Sequence, residues 1–422
     1  KATKIGKDTF LAHIIQLVEE AQGTKIPIQK LADKITSVFV PVILTLAVLT
    51  FLGWLLFSED LSRSIGVAVA VLVIACPCAL GLATPTALMV GSGMGAQKGI
   101  LIRKGEAIQT MKEIKIVVFD KTGTITKGKP EVTDVKSFDK NTKEKELLNL
   151  AASLEKLSEH PIAKAIVNKA DLKSYKKVTT FKVLRGRGVE GKIGKDIIII
   201  GNQTLMKERK INLDEFTKVV EKFEEDGKTT MIITKNKKAL GVIAVADSVK
   251  EDSKEAIKKL NMQGYKTIMI TGDNEGTAKA IAHQVGIKEV IANVLPGDKS
   301  KKVEELQKEG MVAFIGDGIN DAPALKQSNV GIAIGTGTDI AIEAGDIVLA
   351  KGSLEGVVQS INLSKATFRK IKQNLFWAFA YNVIAIPLAV AGVLHPVIAE
   401  IAMALSSITV VSNANLLRRK KI

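Results

Sequence analysis

The segment Ile114–Thr124, which reads IKIVVFDKTGT, decides the fold of this 422-residue chain. Its apolar residues end at Asp120, a pattern that is typical of a buried strand in a parallel sheet. Two later apolar runs, Thr267–Ile270 and Val312–Ile315, also end just before residues that include an aspartate. The carboxyl ends of such strands form the crevice in which open α/β sheets bind ligands. We therefore predict an α/β domain whose site lies at these strand ends.

Four segments carry no Asp, Glu, Lys or Arg, and the first three exceed the roughly 20 residues that a helix needs to cross a bilayer. They are Ile35–Ser58, Ser64–Gln97, Gln373–Ala399 and Ile401–Leu417, of which the last is marginal in length. Lysines and arginines flank them on one side, whereas the connectors on the other side carry mainly Glu59, Asp60 and Glu400. The positive-inside bias therefore predicts an integral membrane protein with residues 98–372 in the cytosol.

The net charge of +16 does not indicate nucleic-acid binding, because no aromatic-rich basic stretch offers bases a stacking surface. Much of the positive charge flanks the apolar segments, where a lipid bilayer with anionic headgroups is the expected partner. The two cysteines, Cys76 and Cys78, are too few and too close for the disulfide framework of a secreted protein.

Residues 129–238 differ in texture from the sequence on either side. A helical stretch at Lys145–Leu157 precedes strand and turn signals around Phe181–Ile200, which predicts a second, α+β domain inserted into the first. Gly186–Gly191 fits the pattern GxGxxG, but the residues that follow it indicate a turn and a strand. A dinucleotide-binding fingerprint requires a helix there and is therefore excluded.

Asp120 is a candidate nucleophile, because an aspartate can attack a phosphoryl group and hold it covalently. Asp120 and Asp317 are hard oxygen ligands suited to Mg²⁺, and Lys299 can neutralise charge on the transferred group. These three residues together predict phosphoryl-transfer chemistry far more specifically than a single aspartate at a strand end.

Cys76-Pro77-Cys78 lies in the middle of the second apolar segment. Residues two apart on an intact helix point about 200° away from each other, but Pro77 interrupts the hydrogen bonds, so the backbone can unwind and the sulfurs can converge. Thiolates favour soft metals such as Cu⁺ or Zn²⁺. We expect protonated thiols in the empty site, since an unpaired charge in hydrocarbon is costly. Intramembrane polar and sulfur groups can complete the site: Tyr381, Asn382, Met403, Ser406 and Ser407.

The DKTGT motif that starts at Asp120, with Lys299 and the GDGIND motif at Gly316–Asp321, resembles the haloacid dehalogenase superfamily and, within it, the P-type ATPases. The resemblance implies a Rossmann-type phosphorylation domain with an inserted nucleotide-binding domain, and ATP and Mg²⁺ as cofactors. Related phosphatases carry a second Asp where this chain has Thr122, so the aspartyl phosphate should persist. The implied roles are catalysis by Asp120, Thr122, Thr271 and Lys299, Mg²⁺ binding by Asp120, Thr122 and Asp317, and phosphate-site support by Gly272, Asn320 and Asp321.

Three motifs of the inserted segment, at Ser158–Pro161, Gly186–Gly188 and Gly201-Asn202, resemble the nucleotide-binding domain of heavy-metal P-type ATPases. Taken alone, His160 is more typical of a surface or capping residue than of a ligand contact. The resemblance implies nucleotide binding by Glu155, His160, Gly186, Gly188, Gly201, Asn202 and Asp273.

The CPC motif, combined with Tyr381-Asn382 and with Met403-x-x-Ser406-Ser407, resembles the copper-exporting branch of these ATPases. The resemblance implies export of Cu⁺, and of Ag⁺ as a surrogate, across a prokaryotic cell membrane, with a cytosolic copper chaperone as a partner. The implied ligands of the transported metal are Cys76, Cys78, Tyr381, Asn382, Met403 and Ser407.

Three alternatives remain. Zinc and cadmium relatives share the cysteine pair but place Lys and Asp in their last helices, and Gln373–Ala399 and Ile401–Leu417 contain neither residue. A membrane-anchored, Mg²⁺-dependent phosphatase is disfavoured by Thr122. A non-enzymatic copper-binding membrane protein is disfavoured by the complete set of nucleophile, lysine and Mg²⁺ ligands.

The resemblance also implies a domain order. We expect a fragment, because the sequence contains neither the family's TGE loop nor its first four membrane helices. The predicted segments are the end of an actuator domain at 1–20, two transmembrane helices with a flanking linker at 21–97, the phosphorylation domain at 98–128 and 239–360, the nucleotide-binding domain at 129–238, and two transmembrane helices at 361–422.

Overall fold

The computed structural model describes residues 26–139, 142–184, 186–213, 216–335 and 343–420. The predicted actuator segment at 1–20 therefore lies outside the described residues. The helices are α1 Pro27–Ser58, α2 Leu61–Ile74, α3 Cys78–Lys98, α4 Gly105–Met111, α5 Glu144–Glu155, α6 Pro161–Ala170, α7 Gln203–Glu208, α8 Thr217–Glu225, α9 Ser253–Met262, α10 Glu275–Val285, α11 Lys299–Gln307, α12 Ala322–Gln327, α13 Glu355–Val390 and α14 Pro396–Asn415. The strands are β1 Ile100–Ile102, β2 Ile114–Asp120, β3 Thr126–Ser137, β4 Val178–Leu184, β5 Gly188–Ile193, β6 Asp196–Gly201, β7 Thr229–Lys235, β8 Lys238–Val249, β9 Lys266–Ile270, β10 Glu289–Ile291, β11 Met311–Gly316, β12 Val330–Ile334 and β13 Ile347–Leu349.

The chain divides into two compact units. Of the described residues, unit 1 contains 26–115, 310–313 and 325–420, and unit 2 contains 116–309 and 314–324. All the apolar segments fall in unit 1, whereas the strand ends that carry Asp120 and Asp317 fall in unit 2.

Unit 1 contains four helical stretches that are long and apolar enough to span a membrane, in agreement with the sequence. The second stretch is broken, because α2 ends at Ile74 and α3 begins at Cys78, so the predicted interruption at Pro77 is confirmed. The prediction for Glu400 was wrong: the last connector lies at residues 391–395, and Glu400 is an exposed residue of α14. The sequence prediction placed this boundary at the charged residue Glu400. The helix α14 already begins at Pro396, because proline is a favoured first residue of a helix.

The first sheet has seven strands in the order β1-β13-β12-β11-β2-β9-β10. In unit 1, β12 runs parallel to β13, and β1 closes the edge in the antiparallel sense. In unit 2, β2 lies beside β9 in parallel, with Asp120 opposite Ile270, and β10 extends the parallel set. Strand β11 is divided between the units. The three predicted buried strands are therefore confirmed as members of one α/β sheet.

The second sheet belongs to unit 2 and is antiparallel, in the order β3-β8-β7-β6-β5-β4. Its side chains alternate between two faces, since Ile198 and Ile200 pack with α5 and α6, whereas Ile199 packs with α7 and α8. Residues after Gly191 form β5 and β6, which agrees with the exclusion of a dinucleotide fingerprint. Strands β3 and β8 pair from Ser137–Gly241 to Thr126–Val249, so we propose that the inserted domain extends beyond 129–238 to about these ends.

Candidate functional site

A cluster of three carboxylates lies at the carboxyl ends of β2 and β11. Asp120 is the last residue of β2, and Asp317 and Asp321 follow β11. Each offers an oxygen that lies within 4.8 Å of the others, and Asp120 and Asp321 are buried. Asp321 accepts hydrogen bonds from the backbone N–H groups of Asp317, at 3.3 Å, and Gly318, at 3.2 Å, which fixes the turn after β11.

Lys299, the first residue of α11, ties this cluster together. Its Nζ lies 2.6 Å from Oδ1 of Asp120 and 2.6 Å from Oδ1 of Asp321, and all three side chains are buried. Burial favours the neutral amine, but the two carboxylates outweigh it and raise the pKa of Lys299 above its ordinary value. Lys299 is therefore a fixed cation beside the candidate nucleophile, as the sequence predicts.

The carboxylates also fit a divalent cation. Burial raises the pKa of Asp120 to about 7, with a further contribution from Asp321, although Lys299 opposes the shift. Burial and Asp321 likewise raise the pKa of Asp317 to about 6. Lys250 and Lys299 oppose the shift at Asp317, but the pKa stays raised, so the two lysines do not fully compensate the three carboxylates. An oxygen-only ligand set is the kind that Mg²⁺ prefers. The residues present therefore fit Mg²⁺, with Asp321 joining a set that the sequence assigned to Asp120, Thr122 and Asp317.

The backbone approaches this cluster closely at Gly123. Gly123 has a φ of +74°, and a Cβ there would lie 1.7 Å from Oδ2 of Asp317. The DKTGT motif therefore requires glycine at this position both for the left-handed backbone and for the close approach of the Asp317 carboxylate.

Three residues that sequence analysis missed hold the loop around the cluster and the start of β3: Lys121, Asp247 and Lys250. Lys121 Nζ lies 2.5 Å from Oδ2 of Asp273, and Lys250 Nζ donates to the carbonyl oxygen of Gly123 at 2.6 Å. Asp247 accepts from Thr126 Oγ1 at 2.6 Å. Of these residues, only Lys121 could have been identified from the sequence, because it lies within the DKTGT motif. The contacts of Asp247 and Lys250 depend on the pairing of β8 with β3, which brings them to this loop.

The other predicted phosphate-site residues surround the cluster less tightly. Thr271 is buried, and its Oγ1 accepts from the backbone N–H of Asp273 at 3.2 Å, so it shapes the turn after β9. Thr122, Gly272 and Asn320 are exposed. Their predicted roles therefore remain proposals.

A cavity of about 570 Å³ lies between the second sheet and the turn after β9, entirely within unit 2. Six of the seven residues predicted to bind nucleotide line it, and Gly201 does not. The six are Glu155, His160, Gly186, Gly188, Asn202 and Asp273. Glu224, Thr230 and Asn274 line it too, and no motif pointed to them.

Among the residues that line this cavity, Glu155 and His160 have shifted pKa values. Glu155 is only 3% exposed, and burial raises its pKa to about 7. His160 caps α6, because its Nδ1 accepts from the backbone N–H of Ile162 at 3.3 Å, which confirms the capping role. An acceptor at Nδ1 leaves the proton of the neutral ring on Nε2, and partial burial of the ring lowers the pKa of His160.

The glycine motif lies at the start of β5, beside the end of β6. Gly188 has a φ of +148°, and a Cβ there would lie 2.0 Å from the carbonyl oxygen of Ile200. Asn202 caps α7 by accepting from Leu205 N–H at 3.0 Å, and its Nδ2 donates to the carbonyl oxygen of Gly186 at 3.1 Å. Gly186, Gly188 and Asn202 therefore form one rigid wall of the cavity.

The break between α2 and α3 lies between two apolar layers of unit 1. One layer joins Ile74 and Ala75 to Ala385, with Met403 packed against it. The other joins Ala79 and Leu80 to Ala378 and Val410. Along α13 and α14, the residues between these layers are the predicted polar ones: Tyr381, Asn382, Ser406 and Ser407.

The polar residues between the two apolar layers, which we call the polar level, are largely enclosed. Asn382 and Ser406 are buried, and Ser406 Oγ has no hydrogen-bond partner among the described residues. Tyr381 Oη lies 3.3 Å from Thr409 Oγ1. The sequence assigned the metal-facing hydroxyl to Ser407, which is half-buried, whereas the adjacent Ser406 is buried. Burial therefore adds Ser406 as a second candidate hydroxyl.

The sulfurs of Cys76 and Cys78 converge, as the interruption at Pro77 predicts. They are joined as a disulfide across a Cα–Cα distance of 5.5 Å, whereas the sequence predicted two protonated thiols. The break in the helix lets the two side chains turn toward each other, whereas side chains two apart on an intact helix point about 200° away from each other.

Comparison with known proteins agrees with this geometry. Residues 114–329 match the haloacid dehalogenase-like hydrolases. The chain is 51% identical to a copper-exporting P-type ATPase of Staphylococcus saprophyticus, over 100% of this chain and 53% of the relative. A copper-exporting P-type ATPase of Staphylococcus aureus is 49% identical, over 100% of this chain and 52% of the relative. The chain thus spans about half the length of the curated relatives it matches.

Two solved structures are also similar. A zinc-transporting PIB-type ATPase in its E2.Pi state is 34% identical with a TM-score of 0.75, over 99% of this chain and 68% of that one. The catalytic domain of the CPx-ATPase CopB-B is 32% identical with a TM-score of 0.50, over 64% of this chain and 97% of that one.

Proposed function

The chain belongs to the P-type ATPases, within the haloacid dehalogenase-like hydrolases, and from this premise we propose that it is the metal-binding, ATP-binding and phosphorylated part of a Cu⁺ pump. The observation that carries this proposal is the contact of Lys299 with Asp120 and Asp321 at 2.6 Å, beside Asp317. A carboxylate nucleophile, a fixed cation and a third carboxylate are the parts that phosphoryl transfer to aspartate requires.

In the proposed reaction, an Asp120 oxygen attacks the γ-phosphorus of ATP, the bond from that phosphorus to the β,γ-bridging oxygen breaks, and ADP leaves with its electron pair. Asp120 and Asp317 would hold Mg²⁺, which when bound neutralises charge on the phosphoryl oxygens. Lys299 holds the attacking carboxylate in place through its contact at 2.6 Å and supplies a second positive charge. Thr122 offers no carboxylate to activate water, which favours a pump over a phosphatase.

The proposed cargo is Cu⁺, with Ag⁺ as a surrogate, held by Cys76, Cys78, Tyr381, Asn382, Met403 and Ser407. Curated relatives at about 50% identity are named copper exporters, whereas the solved zinc transporters are less similar, at 34% and 35%. Glu400, the one acidic residue of α14, is exposed and lies outside the polar level. Export across a prokaryotic cell membrane and delivery by a cytosolic copper chaperone complete the proposal.

Metal-stimulated ATP hydrolysis tests the cargo. In the whole protein that contains this chain, we expect stimulation by Cu⁺ and Ag⁺ under reducing conditions and little by Zn²⁺, because soft, monovalent ions suit a dithiolate site without further charged ligands. The measurement is phosphate release at matched concentrations of the three free ions. Stimulation by Zn²⁺ without a response to Cu⁺ would establish the zinc alternative and leave the phosphorylation chemistry intact.

The cytosolic part should fold without lipid. We expect excised Lys115–Ala350 to be soluble and to bind ATP, because the candidate nucleotide cavity lies within it and the solved CopB-B catalytic domain covers a comparable part of this chain. Calorimetric titration with ATP provides the measurement. His160→Gln should weaken binding, whereas Lys254→Gln on α9, outside the cavity, should not; equal affinities in all three proteins would contradict a nucleotide role for His160.

Glu155 should make the stability of this fragment depend on pH. The pKa of Glu155 is about 7 in the folded state, whereas the pKa of an ordinary Glu, which represents the unfolded state, is 4.5. The folded state therefore keeps a proton that the unfolded state loses as the pH rises from about 4.5 to 7. The wild type should therefore lose roughly 2 to 3 kcal/mol more unfolding free energy than Glu155→Gln between pH 5 and pH 8. Urea unfolding without nucleotide measures this difference. The exposed neighbour gives the control Glu159→Gln, which should follow the wild type.

A further inference from the structure

A basic cleft lies on unit 1 where α13 enters the apolar part of the membrane segment. Four cations and two aromatic rings line it: Lys112, Lys365, Arg369, Lys372, Phe368 and Phe376. Its volume is about 450 Å³, and none of its described lining residues is acidic. The cleft is therefore a shallow, largely open groove that brings four cations together.

The spacing on α13 explains why these residues share one face. Positions 365, 369, 372 and 376 are separated by three or four residues, which places them along one side of a helix. Lys112 reaches the same cleft from the end of α4, with its Nζ 4.1 Å from the ring centroid of Phe368 and 3.1 Å from Glu113. The end of α4 and one face of α13 thus place the four cations beside each other.

The cleft coincides with the expected membrane boundary. The charge-free run of the third candidate span begins at Gln373, directly after Lys372. Phe376 and Trp377, one turn further, are 64% and 44% exposed, and exposed aromatic rings at this depth are typical of the interface between headgroups and hydrocarbon. The cations therefore lie at headgroup level, and Phe376 lies at the level where acyl chains begin.

We propose that this cleft is a binding site for an anionic glycerophospholipid, which goes beyond the pump function. In this proposal, the phosphate of the lipid contacts Arg369 and Lys372, with Lys112 and Lys365 nearby. An acyl chain of the lipid lies along Phe376. Charge complementarity and the position at the boundary favour a lipid over a soluble anion. Arginine adds the planar, bidentate fit to phosphate that lysine lacks.

Lipid binding to the purified chain in detergent tests the proposal. Native mass spectrometry during titration with phosphatidylglycerol, and separately with phosphatidylcholine, measures affinity for each lipid. We expect saturable binding of phosphatidylglycerol that Arg369→Gln/Lys372→Gln weakens by roughly 30-fold, because each cation near a membrane surface contributes about 1 kcal/mol. Both residues are exposed, so the substitutions should leave folding unchanged.

The matched control is Lys30→Gln/Lys34→Gln, which removes two exposed cations from the same predicted side of the membrane but outside the cleft. It should retain phosphatidylglycerol binding, as should Arg369→Lys/Lys372→Arg. Equal losses in the cleft variant and the control would show a general surface potential and overturn the site. Binding without preference over phosphatidylcholine, or competition by inorganic phosphate at equal strength, would overturn it as well.

Discussion

Replacing Asp120 by Asn should abolish phosphorylation of the chain by ATP, with a loss of at least about 10³-fold. The amide keeps the size of the side chain but lacks the anionic oxygen that attacks phosphorus. Asp120 is buried at the end of β2 and lies 2.6 Å from Lys299, so the variant keeps the strand end and the lysine but loses the attacking oxygen. Labelling by γ-³²P-ATP after acid quenching measures the effect, while ATP binding should persist because Asp120 does not line the nucleotide cavity.

The control for this prediction is Asp298→Asn. Asp298 precedes Lys299 and pairs with Lys301 at 2.9 Å at the surface, so its loss changes charge near the site without touching the cluster. This variant should be labelled like the wild type. Labelling of Asp120→Asn at the wild-type level would assign the nucleophile elsewhere.

Replacing either Cys76 or Cys78 by Ser should remove Cu⁺ binding, with a loss of affinity of at least about 100-fold, since even outer-shell changes at metal sites cost 10–100-fold. Serine keeps the shape but exchanges a soft donor for a hard one. Competition against a colorimetric Cu⁺ chelator in detergent provides the measurement.

Methionine supplies the matched control for this experiment. Met403 packs against the apolar layer beside the break, so Met403→Leu should weaken Cu⁺ binding. Met89 is an exposed methionine of α3, and Met89→Leu should have no effect. Cu⁺ binding that survives in both cysteine variants would contradict the proposed membrane site.

Sequence alone predicts the parts of this structure that depend on local patterns. The ends of β2, β9 and β11, the break at Pro77 and the antiparallel strands after Gly191 all follow from apolar runs, proline chemistry or turn residues. These features are encoded within a few neighbouring positions, so one sequence is enough to identify them.

The features that sequence missed depend on long-range pairing. Lys250 contacts the DKTGT loop, and Asp247 contacts Thr126 just after it, only because β8 pairs with β3, and no local pattern sets the end of that pairing at Val249. Asp321 joins the carboxylate cluster through the turn after β11. The packing of α13 and α14 likewise distinguishes Ser406 from Ser407, which are equivalent in the linear motif.

The most direct test of the account is the chemistry of the phosphorylated chain. After brief incubation with γ-³²P-ATP and Mg²⁺ and an acid quench, we expect label that survives acid and is released by hydroxylamine, because an acyl phosphate on Asp120 is stable at low pH but reacts with that nucleophile. The label should also persist during a chase with unlabelled ATP, since Thr122 cannot activate water. Hydroxylamine-resistant label, or release of phosphate without any labelled chain, would contradict the central claim that Asp120 carries the phosphoryl group.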